Sequence, residues 1–148
     1  MITESQVREY YDVALECYEW FLGVHWHHGD PEAMARGATD AEACVEIENA
    51  IARATGVGSD GWVLDFGSGI GGPTLQMARV TGARYVGVSI NERANARARA
   101  RAVEAGLAER ASFLTVGDQD YTRLPFASGS FDAVTFFDSV CHLPDKAA

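Results

Sequence analysis

Residues 63–73 read VLDFGSGIGGP, which sets an aspartate two positions ahead of the first of four glycines, directly after an apolar run. A backbone without Cβ atoms at Gly67, Gly69, Gly71 and Gly72 can adopt positive φ and lie flat against a ligand. Asp65 adds a carboxylate beside that surface. In doubly wound sheets the ligand sits beyond the carboxyl ends of the strands, and the first strand-to-helix turn makes the closest approach.

Three ligand classes use such a turn. A mononucleotide P-loop needs Lys and then Ser or Thr at the end of the loop; Pro73 and Thr74 stand there instead, which excludes it. Gly67, Gly69 and Gly72 formally satisfy a dinucleotide fingerprint, but that fingerprint seats a pyrophosphate on bare N–H groups, and Asp65 would set negative charge near it. The acid expected after the second strand is also missing, since GVSIN offers Ser89 and Asn91. S-adenosylmethionine carries a sulfonium and an α-ammonium group and no phosphate, so a neighbouring carboxylate favours it.

Around this loop, short apolar runs alternate with helical patterns. WVLDF, YVGVSI, ASFLTV and FDAVTFF read as strands, PTLQMARVT and ERANARARARAVEA as helices. Strands apolar on both faces indicate a parallel sheet. Pro73 near a helix start, Asn91 as an N-cap, and Gly82 and Gly106 as stops mark the boundaries. Upstream, Val7, Tyr11, Ala14, Leu15, Tyr18, Phe21 and Leu22 recur at helical spacing up to Gly23. VHWHHGDPEAMARGA reads as a loop. Thr39 and Glu42 form a capping box for a second helix, whose Cys44, Ile47, Ile51 and Ala54 share a face. Arg93, Arg97 and Arg101 form one stripe, expected to be a solvated face.

The ordered set VLDFGSGIGGP, YVGVSINE and FLTVGDQDYTRLPFASGSFDAVTFFDSVCHLPD resembles the class I S-adenosylmethionine-dependent methyltransferases. Within them it is similar to the small-molecule branch of sterol and tocopherol methyltransferases, cyclopropane fatty-acid synthases and natural-product sugar methyltransferases. The likeness covers about residues 60–148, and 8–30 more loosely. It implies an α/β fold: a Rossmann-like doubly wound parallel sheet, the first four strands of a seven-stranded domain, preceded by two N-terminal helices. Residues 1–58 would form a helical lid and 59–148 the cofactor-binding half.

The resemblance also implies roles. Asp65, Gly67, Gly69 and Gly71 would surround the methionine part of S-adenosylmethionine, and Ser89, Ile90 and Asn91 would lie beside its adenosine, with Asn91 on the ribose hydroxyls. Asp118 and Gln119 match the adenine position. Tyr11 and Tyr18 would approach the cofactor, and the turn holding His25 and His28 would cover the substrate. His142 would act as general base, since an imidazole titrates near neutral pH. The implied activity is methyl transfer to a small molecule, of lipid or natural-product type. The alternatives are a non-methylating, cyclase-like relative that keeps the cofactor as scaffold, and a nicotinamide-dependent oxidoreductase.

His25, His27, His28 and Asp30 are also metal-ligand types, but adjacent histidines in a loop rarely point the same way, and displacement at carbon needs no metal, so none is expected. Trp20, Phe21 and Trp26 read as core and lid packing. Cys17, Cys44 and Cys141 are odd in number and far apart, which suggests buried free thiols. The net charge of -9 is N-terminal in origin: residues 1–60 hold twelve acids and three arginines. Such a surface repels a phosphate backbone, so nucleic acid is a poor partner. No run reaches the length of a membrane span and the N-terminus lacks a signal pattern, so a cytoplasmic protein is expected. The fourth strand would lack its usual neighbour, which invites a homo-oligomer or a complementing chain to cover it; the chain alone would then be an incomplete enzyme.

Overall fold

The computed structural model describes residues 3–117 and 123–142. Three helices come first: α1 (Glu4–Leu22), α2 (Pro31–Ala35) and α3 (Asp40–Ala54). The alternating part follows as β1 (Trp62–Phe66), α4 (Gly72–Thr81), β2 (Arg84–Ser89), α5 (Glu92–Glu104), β3 (Ala111–Thr115), β4 (Ala133–Phe136) and a short 3-10 turn, Val140–His142. The short α2 replaces part of the expected loop: Asp30 caps it by accepting from the Glu32 and Ala33 N–H groups, and Pro31 starts it.

The sheet order is β3-β2-β1-β4, with every pair parallel. The chain therefore begins at an inner strand, moves outward twice, and returns across β1 to β4. The strand order reverses between β1 and β4, and ligands bind beyond the strand ends at such a switch.

Side chains alternate across each strand. Val63, Tyr85 and Phe113 meet Ala52, Met77 and Ala98 from α3, α4 and α5, which makes one packed face. Leu64, Val86 and Val88 form the other, against Leu124, Phe126 and Phe131. Among the described residues no helix covers this second face, and Val134 and Phe136 on β4 remain 57% and 55% exposed there.

The expected helical faces need adjustment. α1 buries Val7 and Leu15, but Trp20 and Phe21 are 87% and 77% exposed, so neither is core. The buried side of α3 is Ala43, Cys44, Glu48 and Ala52, with Ala54 exposed. Of the three thiols only Cys44 is buried; Cys17 and Cys141 are exposed.

The arginine stripe of α5 is only in part a solvated face: Arg93 stays exposed, Arg97 and Arg101 are half-covered, and all three pair with α1. Arg93 contacts Glu16 at 2.5 Å, Arg97 reaches Glu16 at 3.1 Å and also Glu19, and Arg101 reaches Glu19 at 2.6 Å. These pairs dock α1 across α5. Glu19→Ala removes the partner of two arginines at once, and should cost roughly 1 kcal/mol in a urea melt, with the loss shrinking in high salt.

Candidate cofactor site

A cavity of about 390 Å³ opens at the carboxyl ends of β1, β2 and β4, within the ~300–1,000 Å³ of small-molecule pockets. Its floor is Asp65, Phe66, Gly67, Ser68, Gly69 and Ile70. Val88, Ser89, Ile90 and Asn91 form one wall; Phe137, Asp138 and Ser139 form another. Val7, Tyr11 and Tyr18 of α1, with Trp26, His27 and His28, close the top.

The loop geometry follows from its glycines. Gly67, Gly69 and Gly71 all have positive φ. A Cβ on Gly67 would lie 2.2 Å from the Ser139 Cβ, so this glycine lets β1 and the segment after β4 close together. Gly71 does not line the cavity; it faces Phe113 and Ala98, and its absent side chain lets α4 start close to the sheet. Gly69 does meet the cavity, with two Trp26 ring carbons 3.5 and 3.9 Å from where its Cβ would be. The α-helices α1, α2, α3 and α5 each carry a side-chain N-cap, whereas α4 starts with none.

Asp65 is buried and accepts from the Thr74 hydroxyl at 2.5 Å and the Thr135 hydroxyl at 3.2 Å. Burial pushes its carboxyl up to about 6, against the pull of the two hydroxyls. Within the same loop, Ser68 Oγ is buried without a partner. Such an orphan inside a glycine loop is what a bound polar ligand would satisfy.

Asn91 lies at the cavity wall, but its amide is already engaged. The carbonyl oxygen caps α5 at Ala94 N, 2.9 Å away, and the nitrogen donates to Asp12 Oδ1 at 2.9 Å. Ribose binding by Asn91 would have to use what capacity is left, and Asp12 had no signal in the sequence. Tyr11 and Tyr18 reach the cavity as expected. The Tyr10 hydroxyl, 2.5 Å from that of Tyr18, together with burial, drives the Tyr18 phenol up to about 12, so it stays protonated.

The histidines separate. His28 lies at the rim, its Nδ1 2.8 Å from Asp138 Oδ2, and Asp138 holds a φ of 46°. His25 is not on the cavity wall; it turns away to Glu48, a fully buried carboxylate on α3 that also takes His27. Burial pulls the His27 imidazole down, yet the bonds to Glu48 and the His28 carbonyl outweigh it and leave its pKa raised. Asp118 and Gln119 lie outside the described residues, and for His142 the backbone alone is described, in the 3-10 turn after β4.

Residues 64–148 match the methyltransferase domain family. The chain belongs to that family. It is 32% identical to a sterol 24-C-methyltransferase of Gibberella zeae, over 95% of this chain and 35% of that protein. It is equally 32% identical to the cycloartenol-C-24-methyltransferase of Arabidopsis thaliana, over 95% of this chain and 40% of that one. The chain thus spans well under half the length of these relatives. Among solved structures it superposes on the 4+2 cyclase SpnF with a TM-score of 0.81 at 30% identity, covering 90% of this chain and 48% of that chain.

Proposed function

We propose that this chain forms the cofactor-binding half of an S-adenosylmethionine-dependent methyltransferase acting on a small, apolar molecule, a sterol-like lipid or natural product. The observation that carries the reading is the cavity at the β1/β4 switch, floored by the glycine loop with Asp65 buried and Ser68 Oγ unpartnered. When bound, S-adenosylmethionine supplies an electrophilic methyl group on a sulfonium. Gly67 to Ile70 hold it by backbone, Ser68 Oγ gains a partner, and Asp65 balances positive charge. Ser89 and Ile90 face its nucleoside end, as Asp118 and Gln119 do in the proposal.

Tyr11, Tyr18 and Trp26 exclude water from above, which favours displacement over hydrolysis. His28, oriented by Asp138 at the rim, meets the acceptor, and His142 remains the proposed general base. Residues 1–58 serve as lid and 59–148 as the cofactor half. The exposed Val134 and Phe136 support cover for the second sheet face and the β4 edge, either from a further chain or from sequence outside these residues. Sedimentation showing a stable, cooperatively melting monomer would end that part of the proposal. No helix among the described residues is long and apolar enough to cross a membrane; a cytoplasmic place and a role in secondary metabolism belong to the proposal.

Titration calorimetry with S-adenosylhomocysteine and with NAD tests the cofactor: heat from the first and none from the second is expected. Incubation with methyl-labelled S-adenosylmethionine and a sterol panel tests the transfer. The likeness to a cyclase makes a non-methylating reaction the second reading. Cofactor binding with no label reaching any acceptor would favour it.

A further inference from the structure

The Oε1 atom of Glu48 takes two imidazole nitrogens at once, His25 Nδ1 at 2.6 Å and His27 Nε2 at 2.8 Å. Glu48 is fully buried, and its second oxygen, Oε2, has no hydrogen-bond partner. Leaving a buried carboxylate oxygen unpartnered is costly, so the cluster as it stands is incomplete.

The tautomer of His27 sharpens the point. Its Nδ1 lies 2.9 Å from the His28 carbonyl oxygen. A carbonyl only accepts, so Nδ1 carries the proton, and a neutral His27 turns the Nε2 lone pair towards the Glu48 carboxylate. Two lone pairs at 2.8 Å need a positive charge between them, either a proton or a metal ion. A ring N–H held by a backbone carbonyl is also the contact that fixes metal-ligating histidines. The three donor atoms lie within 4.8 Å of one another. Bonds of ~2.0–2.2 Å in a tetrahedral site place ligand atoms roughly 3.3–3.6 Å apart, so the cluster need only spread by less than about 1 Å.

We propose that His25, His27 and Glu48 bind a divalent transition-metal ion of the zinc type, which clips the histidine-rich turn above the cavity to α3. Two imidazoles and one carboxylate are a donor set that zinc accepts with a fourth position left open. Imidazole ligands disfavour magnesium and calcium, which want oxygen throughout. The ion gives Oε2 its missing partner, directly or through a metal-bound water. Asp30, which the sequence grouped with these histidines, takes no part, because its carboxylate caps α2.

The proposal is independent of methyl transfer and is tested without it. The chain is stripped with a chelator and titrated with Zn2+ or Co2+ alone. Binding of one equivalent, a rise in Tm of about 5–10 °C at a hundredfold excess over Kd, and the intense absorption of tetrahedral Co2+ are expected. Glu48→Gln and His27→Gln should each lose that absorption and weaken binding roughly a hundredfold, while His28→Asn keeps metal binding. If Glu48→Gln does not fold, His25→Gln carries the same test, since His25 is partly exposed. No stoichiometric binding, or binding unchanged in the His25 and His27 variants, would overturn the proposal and leave a proton in the gap.

Discussion

Asp65→Asn is expected to weaken S-adenosylmethionine binding roughly a hundredfold, equivalent to ~3 kcal/mol, while raising the melting temperature of the free protein. The carboxyl is buried and its pKa is raised to about 6 from an ordinary 3.8. A carboxyl whose folded pKa exceeds its unfolded one holds more protons when folded. Stability therefore falls as pH rises from about 4 to about 6, and the full cost persists above that. At neutral pH the buried charge costs the fold on the order of 3 kcal/mol, which the neutral amide removes.

The same sign governs the ligand. Affinity of the wild type for the cationic donor should drop as pH falls through about 6, when Asp65 gains its proton, and the Asn variant should show no such step. Calorimetry across that range and thermal melts at matched pH read both effects. An unchanged Kd in the variant would reduce Asp65 to a brace for Thr74 and Thr135.

Gly72→Ala carries the largest expected loss of stability. An added Cβ would sit 2.0 Å from the Val24 carbonyl oxygen and 2.7 Å from its carbon. The obstacle is backbone at the end of the α1 connection, not a flexible side-chain tip, so α4 or the lid must shift. A loss of roughly 3 kcal/mol is expected, or a fall in Tm of about 6–12 °C. Gly58→Ala, which meets open space, should melt within about 0.5 kcal/mol of the wild type.

The strands and the loop between β1 and α4 were legible because each is a local pattern: a run apolar on both faces, then glycines, then Pro73. Asn91 was legible as a cap for the same reason. What escaped depends on residues distant in sequence. The spacing of Arg93, Arg97 and Arg101 shows a common face but not that Glu16 and Glu19 stand opposite. Glu48 looks like a surface acid until Cys44, Glu48 and Ala52 are seen at successive intervals of four on the buried side of α3. The separate fates of His25 and His28 follow from Glu48 on one side and Asp138, after β4, on the other.

Because Glu16 and Glu19 tie α1 to α5, the part of the cavity roof on α1 is fastened to a helix that packs on the same sheet as its floor, so salt that weakens those ion pairs should loosen that part of the roof as well.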